Sequence, residues 1–145
     1  MIKSIFAFNK FFEVRTIFDW LDFKEVGDEL SKNENEAFIR SAITRYYYAI
    51  FSAVREYLIY FKHQYQFINN WKIHERVWKF LLSSNDNNEN EVGEFLSNLR
   101  HVRNSADYDK EHDYDYFVDK LIEVHNEIGD VVNSIRYLRK NPSRW

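Results

Sequence analysis

The stretch NEAFIRSAITRYYYAIFSAVREYLIYFKH, residues 35 to 63, constrains the fold more than any other part of the chain. Ile39, Ile43, Tyr47, Ile50, Val54, Leu58 and Phe61 recur in it at steps of three and four. That spacing stacks them on one face of a helix, whereas a half-buried strand would show a step of two. The segment predicts a single helix of about seven or eight turns at 3.6 residues each. So long an apolar face has to be covered by other elements.

Turn-formers decide what those elements are. The 145 residues hold three glycines and one proline, Pro142, near the C-terminus. A many-stranded sheet needs a turn every few residues, so the covering elements are expected to be helices. Residues 14 to 30 carry Val14, Ile17, Phe18, Leu21, Val26 and Leu30 at helical spacing. Residues 71 to 83 place Ile73, Val77, Phe80 and Leu81 inward, and 91 to 106 do the same with Val92, Phe95, Leu99, Val102 and Ala106. Residues 115 to 139 carry Phe117, Leu121, Val124, Ile128, Val131, Ile135 and Leu138. Residues 31 to 35, 64 to 70 and DYDKEHDYD break the pattern, and SSNDNNENE, residues 83 to 91, reads as the clearest loop. The expectation is an all-α chain, an antiparallel four- to five-helix bundle. It forms one domain over residues 1–145, with an N-terminal extension at 1–13 and a flexible tail at 140–145.

Composition removes several functions. Apolar residues make up 45% and aromatics 19%, enough for an ordered core. The absence of cysteine excludes disulfides, thiolate metal sites and cysteine catalysis. Asn9 and Lys10 interrupt the N-terminal apolar run too early for a signal peptide, and no stretch nears the ~18 apolar residues of a membrane span. A soluble, cytoplasmic protein with no membrane partner is therefore expected. Gly27, Gly93 and Gly129 lie far apart, so there is no GxGxxG, P-loop or GxSxG. No two of His63, His74, His101, His112 and His125 are four apart, as a helical zinc site requires. His112 among Asp109, Glu111, Asp113 and Asp115 does not match a calcium loop and reads as a solvated acidic linker. No metal or other cofactor is expected. A net charge of −3 gives no global attraction to nucleic acid, so any phosphate site must be local.

RHVRNSADYD, residues 100 to 109, is the place for one. Arg100, Arg103 and Asp107 stand at i, i+3 and i+7 and so share one side of a helix. Two guanidiniums on one face make a donor cluster of phosphate size, with Asn104 adding an amide and Tyr108 a hydroxyl. The same residues also suit a solvated helix face with one surface ion pair, worth about 0–1 kcal/mol. On the long helix, Ser41, Arg45, Tyr47, Tyr48 and Phe51 sit near this segment in character. Arg45 either faces water or, if buried, needs an acceptor, for which Asp107 is the candidate.

Three segments in order resemble the ADY-type branch of the HEPN domains, small helical bundles of prokaryotic toxin–antitoxin and antiviral systems. They are RSAITRYYYAIF (40 to 51), KIHERVWKFL (72 to 81) and RHVRNSADYD (100 to 109), the last with its Arg-x-x-Ala-Asp-Tyr core. The resemblance implies a homodimer paired across the motif helices, and RNA or a nucleotide as ligand. It also implies metal-independent RNA cleavage by an Arg-x(4–6)-His motif, with histidine moving protons and arginine stabilising the phosphorane. Carried onto this chain, Arg103, Asp107 and Tyr108 become the catalytic candidates. Arg100, Asn104, Arg45, Tyr48 and His74 become the substrate-binding ones. The chain departs from the motif: the histidine window holds Tyr108, Asp109 and Lys110 counted from Arg103, and Ser105, Ala106 and Asp107 counted from Arg100. Tyrosine, with a pKa near ~10, shuttles protons poorly at neutral pH but donates hydrogen bonds well. The alternative is a non-catalytic interaction module that binds a partner such as a nucleotidyltransferase-like antitoxin.

Overall fold

The computed structural model describes residues 18–68 and 73–144. Among them there are five α-helices and no strand. They are α1 (Phe23–Leu30), α2 (Glu36–Glu56), α3 (His74–Leu82), α4 (Asn87–Tyr108) and α5 (Tyr114–Lys140). The expected all-α bundle is the fold. The starts at 14 and 71, and the extension at 1–13, fall outside the described residues.

Short polar side chains open these helices. Asn35 accepts from the Ala37 amide, Asp86 from Glu89 and Asp113 from Tyr116, each satisfying an N-terminal donor that would otherwise lack a partner. Contacts along the helices set their directions. Thr44 meets Asp107 and Tyr57 meets Glu89, so α2 and α4 are antiparallel. Arg40 lies over Phe117 and Tyr46 meets His125, so α2 and α5 run parallel, both of them antiparallel to α4. Helix α2 is the central element, with Ala42, Ile43, Tyr46, Tyr47, Ala49 and Ile50 fully buried. Each large side chain buried this way contributes about 1.5–3 kcal/mol.

The structure corrects the sequence expectations in three places. Helix α2 leaves α-geometry at Glu56 and continues as a π-turn over Tyr57–Phe61, closed by His63 in the left-handed region at φ 57. The extra residue per turn rotates Phe61 outward, to 41% exposed, while Tyr57, Leu58 and Ile59 are all buried. Among the described residues before α1 there is a 3-10 turn, Trp20–Asp22, and Phe18 and Val26 are exposed rather than inward. The third correction concerns SSNDNNENE. It is a loop only to Asp86, since α4 starts at Asn87 and runs to Tyr108 instead of spanning 91 to 106. Glu89 explains the early start. It is fully buried and accepts from Tyr57 (2.5 Å), Ser84 (2.6 Å) and Lys62 (3.1 Å), which draws the polar first turn into the bundle.

Candidate phosphate-binding site on α2, α3 and α4

Helix α4 presents Arg100, Arg103, Asn104 and Asp107 toward one stripe of α2 made by Arg40, Thr44, Tyr47 and Tyr48. Asp107 is the hinge between the two helices. Its Oδ2 lies 2.8 Å from Arg103 Nε, and its Oδ1 accepts from the Thr44 hydroxyl at 2.5 Å. The Asp107 side chain is 24% exposed and that of Arg103 12%. Arg103 Nη2 donates to the Tyr48 hydroxyl at 3.0 Å and Nη1 to Asn104 Oδ1 at 3.3 Å. Its Nε–H is not aimed well enough at Asp107 to form a hydrogen bond, so the pair is held by charge. Rings surround the same guanidinium, with Tyr48 at 5.2 Å, Tyr47 at 5.5 Å and Tyr108 at 5.7 Å.

Arg100, one turn earlier, is less well supplied. Its Nε reaches Asn104 Oδ1 only at 3.4 Å, and its Cζ lies 5.7 Å from the Trp78 ring of α3. Its Nη1 is buried without a hydrogen-bond partner among the described residues. No carboxylate among them lies at ion-pair distance from it.

Beneath the arginines, buried Tyr47 and half-buried His74 form a couple, hydroxyl to Nδ1 at 2.6 Å, with Phe51 stacked on the imidazole at 4.2 Å. Burial pushes the Tyr47 phenol up to about 12, against the opposing pull of Arg100 and Arg103. Burial, followed by the nearby charges of Arg100, Arg103 and Arg55, lowers His74 to about 4. Both are therefore neutral at neutral pH. The geometry suits anion binding, and among the described residues His74 is neutral and bonded to Tyr47 rather than poised to trade protons there.

The end of α4 is fixed by Arg40. Its Nη1 donates to the carbonyls of Asp109 (2.6 Å), Ala106 (3.2 Å) and Ser105 (3.5 Å), while its guanidinium lies 4.0 Å over Phe117. A cation at a helix C-terminus satisfies free carbonyls and the helix dipole together.

Of the residues singled out from the sequence, the structure brings together Arg100, Arg103, Asn104, Asp107, Tyr48 and His74. Tyr108 adjoins Arg103 by its ring only, and its hydroxyl has no partner among the described residues. Arg45 is a correction. It does not pair with Asp107, whose partners are Arg103 and Thr44, but lies over Phe23 (5.3 Å) and Tyr48 (6.0 Å). Sequence reasoning missed Arg40, Thr44 and Trp78. Arg40, Thr44 and Tyr48 form an i, i+4, i+8 polar stripe on an otherwise apolar helix, and that stripe was the available signal. His112 pairs with Asp109 and stacks on Tyr116 at 3.9 Å, apart from the arginines. A shallow groove of about 260 Å³ between α4 and α5, lined by Phe95, His101 and Glu127 among others, is separate from the arginine stripe. No described helix is long and apolar enough to cross a membrane.

No family model matches the chain, and no solved structure matches it. It is 30% identical over 133 residues to the uncharacterized protein MJ0992 of Methanocaldococcus jannaschii, across 81% of this chain and 74% of that protein. At that identity and coverage, the helical bundle with its paired arginines belongs to the same family as MJ0992.

Proposed function

We propose that the chain is a HEPN-like protein that holds a phosphate of RNA, or of a nucleotide, against Arg100 and Arg103. Arg100 carries the proposal. It is a half-buried cation on the same face as Arg103, with no contacting carboxylate among the described residues and only a long 3.4 Å contact from its Nε to Asn104. Such a group is costly in the free protein, and a phosphate that accepts from both guanidiniums offsets that cost. Arg103 is set in place beforehand by Asp107 and Tyr48, so little order is lost when a ligand arrives. Cleavage draws less support from this geometry, because His74 is neutral, bonded to Tyr47 and at about 4. On this reading the protein acts in a toxin–antitoxin or antiviral setting, as a homodimer paired across α4, which is what the resemblance implies. Light scattering that shows only monomer would remove the shared site.

A second reading has one observation in its favour. Arg103 already has Tyr48, Asn104 and Asp107 as partners within its own chain, as in a purely structural network. The protein would then be an interaction module for a partner such as a nucleotidyltransferase-like antitoxin. Titration of a short single-stranded RNA separates the two. Arg100→Ala and Arg103→Ala should each weaken binding about 10- to 100-fold, the worth of a charge-assisted hydrogen bond. The urea midpoint of Arg100→Ala should hold or rise, because a poorly satisfied cation has been removed. Affinity equal to wild type in both variants would leave the interaction module as the better account.

A further inference from the structure

Tyr108 is the most exposed large apolar side chain among the described residues, at 74%. A lone exposed ring is unremarkable by itself. This one, however, lies 5.7 Å from the Arg103 guanidinium, whereas the Tyr47 and Tyr48 rings near the same group are tied into the bundle by their hydroxyls. It is also held firmly. Arg40 grips the carbonyls of Ala106 and Asp109 on either side of it, so the last turn of α4 cannot swing with the ring. The hydroxyl has no partner among the described residues. The result is an exposed aromatic ring on a clamped backbone beside the Arg103 guanidinium.

We infer that Tyr108 is a stacking platform for an unpaired nucleobase, and that the site therefore selects single-stranded RNA over duplex. The inference rests on the phosphate reading of Arg100 and Arg103 and goes one step beyond it. Arginines alone bind any phosphate, duplex included, whereas a ring can lie on a base only where that base is unstacked. A base on Tyr108 brings its own sugar-phosphate toward Arg103, and the neighbouring phosphate toward Arg100 one turn back along α4. Stacking tolerates every base, so little sequence preference is expected. The ring is the working part, and the hydroxyl is dispensable.

The test is fluorescence anisotropy with a labelled single-stranded RNA of mixed sequence, in wild type, Tyr108→Ala, Tyr108→Phe and Arg103→Ala, with unlabelled duplex of the same sequence as competitor. Exposure of the side chain means that Tyr108→Ala should fold, which circular dichroism checks. The expected result is a loss of about 5- to 150-fold in Tyr108→Ala, recovery in Tyr108→Phe, and weak competition by duplex. Wild-type affinity in Tyr108→Ala, with binding lost in Arg103→Ala, would overturn the platform and leave the phosphate site standing. Loss of affinity in Tyr108→Phe equal to that in Tyr108→Ala would overturn it too, since the hydroxyl would then be the contact. Binding that none of the variants changes would overturn both.

Discussion

His74 sits at about 4 in the folded chain against 6.5 for a free histidine, because burial and then Arg100, Arg103 and Arg55 disfavour its charged form. The unfolded chain therefore takes up this proton at higher pH than the folded one. Stability owed to neutral His74 is complete above about 6.5, declines as pH falls toward about 4, and levels off below. Burial lowers His125 in the same direction, while Asp19, Asp28 and Asp109 are held below 3.8 and act at lower pH. The urea midpoint should thus fall between pH 6.5 and 4 in wild type, with a flatter fall in His74→Gln. Identical slopes would mean that His74 is not the buried neutral partner of Tyr47. Some of this residue-level detail was open to the sequence. Arg100 and Arg103 at i and i+3 had to share a face, so their convergence follows from spacing alone. Their partners did not follow, because Thr44, Tyr48 and Trp78 come from other helices, and only packing says which turn of α2 faces which turn of α4.

At the scale of the element, α4 shows both what periodicity reports and what it hides. Val92, Phe95, Leu99 and Ala106 marked the helix correctly as an inward face, and all are buried. Its first turn was illegible because Asn87, Asn88 and Asn90 look like loop, and nothing local announces that Glu89 meets Lys62, just past the π-turn. The π-turn of α2 escaped for the same reason: an apolar run with period 3.6 gives no sign of where one extra residue is inserted. The far end of α4 depends on Arg40. Arg40→Met keeps an unbranched apolar side chain but removes the guanidinium from over Phe117, from its pair with Glu36 and from the Ser105, Ala106 and Asp109 carbonyls. The last turn should then fray, with a loss of about 1–3 kcal/mol and faster amide exchange at residues 105 to 109 than in the rest of α4. Unchanged exchange there would show that the turn holds without the clamp.

For the molecule as a whole, the all-α architecture was the most legible feature. It rested on long periodic segments and few turn-formers, and neither depends on tertiary contacts. The proposed function was less legible, because the arginine pair it rests on is a local charge pattern that the net charge of −3 conceals. The same charge makes a sharp test possible. With no global pull on RNA, the salt dependence of binding should come from Arg100 and Arg103 alone. Each guanidinium–phosphate contact to a single strand releases about 0.7 of a counterion, so removing one arginine should reduce the slope of log K against log salt by about 0.7. The decisive measurement is that slope for single-stranded RNA in wild type, Arg100→Ala and Arg103→Ala. The account predicts a negative slope in wild type that becomes shallower by about 0.7 in each variant. A slope near zero in wild type, or one that neither variant changes, would contradict it.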